Sequence, residues 1–150
     1  MTKTLLRFEI VTYLKKIYDK KFILIGDDWK KYSFDSLKSN YDSKKNKKIY
    51  KGNICLDTGS LEGSSSLYPR ANQIIESGGL IVQNYALDAS EHWKDLKQDL
   101  LFKNFDELRN IIDKLINNLE LSNILLGKIY KHFKNSNIFM EETLNRYFSK

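Results

Sequence analysis

Leu6, Ile10, Leu14 and Ile17 recur at helical spacing, so the pattern predicts a helix over residues 3–19 with one buried face. The period then changes. Phe22–Ile25 is an unbroken apolar run stopped by Gly26, which predicts a short buried strand over 22–26 opening into the loop "GDDW". "NICLD" at 53–57 and "LIVQ" at 80–83 read the same way, and "LLF" at 100–102 predicts a fourth strand. Between these runs the pattern is helical. A short helix is expected over 43–50, another from Pro69 to about Ser77, and a third in "SEHWKDL". Pro69 suits a first helical turn, where its missing N–H is no loss, and Gly78 or Gly79 suits the stop. Asn104 and Glu107 form a capping-box pair ahead of Phe105, Leu108, Ile112 and Leu115, a clear amphipathic helix. Two more helices are expected, at about 119–134 and 137–148.

Strands alternating with helices predict an α/β fold: one parallel sheet of about four strands flanked by helices, with further helices at the C-terminus. A single domain over residues 1–150 accommodates all of it. Sheets of this kind bind ligands beyond the carboxyl ends of their strands. Three loops leave strand ends here, "GDDW", "DTGSLEGSSS" and "QNYALD".

Composition narrows the classes. Apolar residues are 41% and charged residues 29%, ordinary for a globular chain. No run approaches the ~18 apolar residues of a membrane span, and "MTKTLLRFEIVTYLKK" carries charges inside its apolar stretch, unlike a signal peptide. The lone Cys55 allows no internal disulfide, so a cytoplasmic location is expected, with the thiol as a small core residue. The net charge of +6 is confined to one segment. From Lys30 to Lys51 eight lysines face Asp35 and Asp42, and the rest of the chain is neutral. A solvated face is the ordinary meaning of such a run. Its functional meaning is attraction to phosphates or peripheral contact with an anionic membrane. No nucleic-acid motif accompanies it, so a nucleic-acid partner is not expected.

The ordered set "FILIGDDW", "YKGNICLDTGS", "YPRANQIIESGGLIVQ" and "LLFKNFDELRNIIDKLI", preceded by a helix with the early Arg7, resembles the C-terminal half of GT-B glycosyltransferases, in particular the CgeB-like and group-1-like families. The resemblance covers nearly the whole chain and lies in the order of the motifs more than in any one of them. It implies a Rossmann-like half-domain that binds a nucleotide-sugar as co-substrate, with no other cofactor. It places donor binding on Gly26, Ser64, Ser65, Ser66, Tyr68, Arg70, Gln73, Glu76 and Gly78. "SSSLYPR" then has a physical reason. A small-residue loop entering a helix presents unpaired N–H groups and the positive end of the helix dipole to a diphosphate. Arg70 on the first turn adds a charge-assisted contact.

Each of these residues also has an ordinary reading. Ser64–Ser66 suit a surface turn, Arg70 a pairing with a nearby carboxylate, and Gly78 and Gly79 helix termination. Trp29 suits a core anchor better than a lid on a base. His92 and His132 lack partners at ligand spacing and Asp27–Asp28 is weak ground, so no metal site is assigned.

The chain departs from the family in two places. The family glutamate three residues after the arginine, which holds ribose hydroxyls, falls on Gln73, which accepts a hydrogen bond without a charge. Glu76 lies about one turn further on. Nothing here corresponds to the acceptor half, so no catalytic residue is named, and the isolated chain is expected to transfer no sugar. Three possibilities stay open: a donor half working with a separate acceptor-half subunit, a degenerate remnant, or a fragment of a longer parent. The alternative is a non-catalytic interaction module that kept the fold.

Overall fold

The computed structural model describes residues 3–38, 43–59 and 69–148. Its elements in chain order are α1 (Lys3–Tyr18), α2 (Ser43–Tyr50), β1 (Ile54–Asp57), α3 (Pro69–Glu76), β2 (Leu80–Asn84), α4 (Leu87–Trp93), α5 (Lys97–Leu100), β3 (Leu101–Phe102), α6 (Phe105–Asn117) and α7 (Leu119–Phe148), with 3-10 turns at Asp19–Lys21, Asp27–Tyr32 and Lys94–Leu96. The fold is α/β, a parallel sheet flanked by helices. Among the described residues the sheet has three strands in the order β1-β2-β3. Ile54 pairs with Leu80 and Asp57 with Gln83, while Gln83 and Asn84 pair with Leu101 and Phe102. Leu80, Ile81, Val82 and Gln83 are buried in succession, so β2 is covered on both faces, as a central parallel strand requires.

The expected strand at 22–26 is not part of this sheet. It is an extended stretch joined by an isolated parallel bridge between Ile25 and Leu37. Leu37 N–H donates to Leu24 O at 2.8 Å and Gly26 N–H to Leu37 O at 2.9 Å, so the segment closes on its own loop. Ile23 is 56% exposed, which a sheet-core strand would not permit. The helix pair expected at 119–134 and 137–148 is instead one helix, α7. "FKNSNIF" holds no glycine or proline to stop it.

Ile10 and Leu14 of α1, Ile74 and Ile75 of α3, Ile81 and Val82 of β2, and Trp93, Leu100, Phe102, Leu108 and Leu125 form one core. α1 is fastened to α6 by Tyr13 stacked on Phe105, with ring centres 4.9 Å apart, and by Tyr18 Oη donating to Asp113 Oδ1 at 2.8 Å. Burial and then this bond to Asp113 push the Tyr18 phenol above its ordinary pKa. The Asn104 cap forms as expected, with Glu107 N–H donating to Asn104 Oδ1 at 2.8 Å.

α3 ends in a Schellman turn. Gly78 has φ +77°, its N–H donates to Ile75 O at 3.0 Å, and Gly79 N–H donates to Ile74 O at 2.9 Å. Gly79 has a different reason to be glycine. A Cβ there would lie 2.9 Å from Ile74 Cγ2, 3.0 Å from Tyr50 O and 3.1 Å from Cys55 Sγ, so only a bare backbone lets β2 start against β1 and α2.

Candidate functional site

β1 ends in Asp57, and its register partner is Gln83, the penultimate residue of β2. Asp57 is 1% exposed and Gln83 5% exposed. Gln83 Nε2 donates to Asp57 Oδ2 at 3.0 Å, and Trp93 Nε1 donates to Gln83 Oε1 at 2.6 Å. The amide of Gln83 is thereby engaged on both sides, which is what a buried amide at the end of an apolar strand needs. Asp57 Oδ1 accepts the N–H of Gly59 at 3.3 Å, so the same carboxylate turns the chain as it leaves the sheet. Gly59 sits at φ +72°, the left-handed region that this turn demands.

Arg7 reaches the same loop from α1. Its Nε donates to Thr58 Oγ1 at 3.0 Å and a terminal nitrogen donates to the Gly59 carbonyl. The first residues after β1 are therefore held on one side by Asp57 and on the other by Arg7. Both Arg7 and Gly59 are half-buried. The loop leads to α3, whose inner positions Ala71, Ile74 and Ile75 are buried. Arg70 in the first turn is exposed, as is Gln73 one turn later. Arg70 also lies within electrostatic reach of Tyr50. Burial raises the Tyr50 phenol pKa, the Arg70 charge lowers it, and Cys55 and Asp57 raise it further.

The expected donor residues divide among three places. Arg70 and Gln73 stand at or near the start of α3, on the carboxyl side of the sheet. Glu76 and Gly78 lie at its other end, where Gly52 N–H donates to Gly78 O at 3.0 Å just ahead of β1 and β2. Six residues of helix separate Arg70 from Glu76, about 9 Å along the axis. Gly26 belongs to the "GDDW" turn, at φ +138°, where a Cβ would meet the Trp29 ring at 3.0 Å. Ser36 Oγ donates to Gly26 O at 2.7 Å. Trp29 packs edge-on to Phe34 at 6.1 Å, and Phe8 of α1 packs on Phe34 at 5.8 Å and Tyr32 at 5.4 Å. Trp29 is therefore an aromatic anchor of that loop on α1. Ser64, Ser65, Ser66 and Tyr68 lie outside the described residues.

Cys55 is half-buried beside Gly79, and desolvation pushes its thiol up to about 12, which keeps it protonated. His92 packs edge-on to Trp93 and to His132, each at 4.7 Å. Burial first, and then the His132 charge, lowers its pKa to about 4. Among the described residues no three His, Cys, Asp or Glu side chains gather as metal ligands, and no helix is long and apolar enough to cross a membrane.

Sequence reasoning missed the Asp57–Gln83–Trp93 chain. The signal was present: two apolar strands of the same sheet both terminate in a polar residue. Pairing those residues required the strand register. Arg7 was noted only by its place in the chain, because nothing local says which loop a helix-borne arginine will reach. No family model, no curated protein and no solved structure matches the chain.

Proposed function

We propose that the carboxyl edge of the sheet binds the nucleoside diphosphate of a sugar donor, and that the chain is the donor-binding half of a GT-B-type glycosyltransferase. The observation that carries the reading is the clamped loop. Asp57 and Arg7 fix Thr58 and Gly59, and that loop feeds the start of α3, where Arg70 is exposed on the first turn. The clamp fixes where the chain leaves the sheet, and the end of α3 that it leads to favours negative charge. In glycosyl transfer the departing diphosphate gains charge, which fixed donors and a guanidinium stabilise without reorganisation. Asp57 and Arg7 act here as positioning residues, and Arg70 as the phosphate contact. Gln73, one turn along the same exposed side, faces the ribose as a neutral acceptor.

The neutrality of Gln73 favours a second reading, a binding module that retains nucleotide affinity without transfer. The two readings share the site. Titrating the purified chain with a nucleoside diphosphate while following backbone amide resonances tests the site itself. Thr58, Gly59 and the first turn of α3 are expected to shift together. Shifts confined to other elements, with these unmoved, would place the ligand elsewhere and remove the reading.

A further inference from the structure

The opposite edge of the sheet carries a basic groove. The ends of α2 and α3 and the middle of α7 enclose a groove of about 500 Å³ just below the first residues of β1 and β2, with Ile75 in its floor and Tyr130 in its wall. Lys47 and Lys48 line it from α2 and Lys51 from the turn that follows. Among the described residues none of these three lysines has a carboxylate within ion-pair distance. Lys134 lies one turn beyond Tyr130, on the same side of α7 and exposed. The carboxylate in the described lining is Glu76. Positive charge therefore gathers around an exposed aromatic ring, 57% accessible, with little local compensation.

We propose that this amino-edge groove docks the protein on an anionic lipid bilayer. Three features select that partner. The described lining holds lysines and no arginine. Lysine is a strongly hydrated point charge suited to a diffuse surface potential, whereas arginine is preferred where phosphates or bases are read in a fixed geometry. Tyrosine is an interfacial side chain, apolar in body and polar at the tip, and sits at headgroup level. The groove also lies at the end of the sheet remote from Asp57, Gln83 and Arg70, so a bilayer seated there leaves the carboxyl edge open to solutes.

Co-sedimentation of the full chain with vesicles tests this independently of any nucleotide. Vesicles of phosphatidylcholine and phosphatidylglycerol in equal parts should carry the protein down, those of phosphatidylcholine alone should not, and added salt should release it. The combined substitutions Lys47→Gln, Lys48→Gln and Lys51→Gln should lower partitioning by about a hundredfold, from a factor of about five for each lysine near the surface. Tyr130→Ala should lower it further. Lys16→Gln, Lys20→Gln and Lys21→Gln on the α1 side remove the same charge and should lower it far less, with circular dichroism checking that every variant is folded. Equal losses in the two triple variants would show that only net charge acts, and would overturn the proposal. So would equal binding to neutral vesicles, or binding of a single-stranded RNA oligomer through these lysines by a protein that ignores vesicles.

Discussion

Asp57 and Gln83 face each other across β1 and β2 and share a buried hydrogen bond of 3.0 Å at the carboxyl edge of the sheet. Trp93 closes one end of the chain and the Gly59 N–H the other. The arrangement converts strand register into loop position: the pairing that aligns the two strands also sets where the backbone turns toward α3.

Gln83→Leu keeps the apolar volume but removes both partners. It leaves Asp57 Oδ2 and Trp93 Nε1 buried without these bonds, so unfolding in urea should show a loss of about 2–6 kcal/mol, from two unsatisfied buried groups at about 1–3 kcal/mol each. Trp93→Phe, which orphans only Gln83 Oε1 and leaves a smaller ring, should also destabilise, though less steeply per polar group. A Gln83→Leu protein as stable as the parent would mean that the buried chain contributes nothing.

The two glycines that end α3 should respond differently to alanine. Gly78→Ala forces a Cβ into the left-handed region, worth about 1–2 kcal/mol, and meets nothing nearer than 4.0 Å. Gly79→Ala has an allowed backbone but drives the Cβ into Tyr50 O and Ile74, an overpacking cost of about 1–3 kcal/mol. A second-site change distinguishes them. Ile74→Leu, which lacks the Cγ2 methyl that a Cβ at position 79 would meet, should partly relieve Gly79→Ala and leave the effect of Gly78→Ala unchanged.

Stability should fall in mild acid through His92. Its folded pKa is about 4 against the ordinary 6.5, so the unfolded chain takes the proton first. The His92 contribution is therefore fully present above about 6.5, and is lost as pH falls from there through 4. Urea midpoints measured across that window should drop for the parent, and should drop less for His92→Phe. Parallel curves for the two proteins would assign the acid sensitivity to other groups.

Much of this architecture was legible in the chain, and the exceptions have physical causes. β1, β2 and β3 fall where the apolar runs ended in turn chemistry, because a fully covered parallel strand must be apolar at successive positions. "FILI" met the same test and failed as a sheet strand, since a four-residue apolar run does not say what will cover it; its covering came from the loop ending at Leu37. The single α7 shows the reverse limit, that a polar stretch without glycine or proline does not interrupt a helix. The placement of Arg70 and Gln73 on α3 was readable because that helix is local. Asp57, Gln83 and Arg7 act through partners 26, 10 and about 51 residues away, and that information exists only after folding.

Position 73 offers a graded test of the ribose assignment. Gln73→Glu restores a carboxylate on the exposed side of α3. It should tighten binding of a nucleoside diphosphate more than binding of pyrophosphate, which has no ribose. An equal change for both ligands would show that the residue does not meet the sugar.

The most direct measurement is a calorimetric titration of the parent and of Arg70→Ala with a nucleoside diphosphate and with pyrophosphate. Arg70 is exposed and forms no part of the core, so the variant should fold as the parent does. Loss of one charge-assisted hydrogen bond, about 1.5–3 kcal/mol, predicts roughly a ten- to hundredfold weaker affinity for both ligands. Unchanged affinity in Arg70→Ala, or no binding of either ligand to the folded parent at millimolar concentration, would contradict the proposed site.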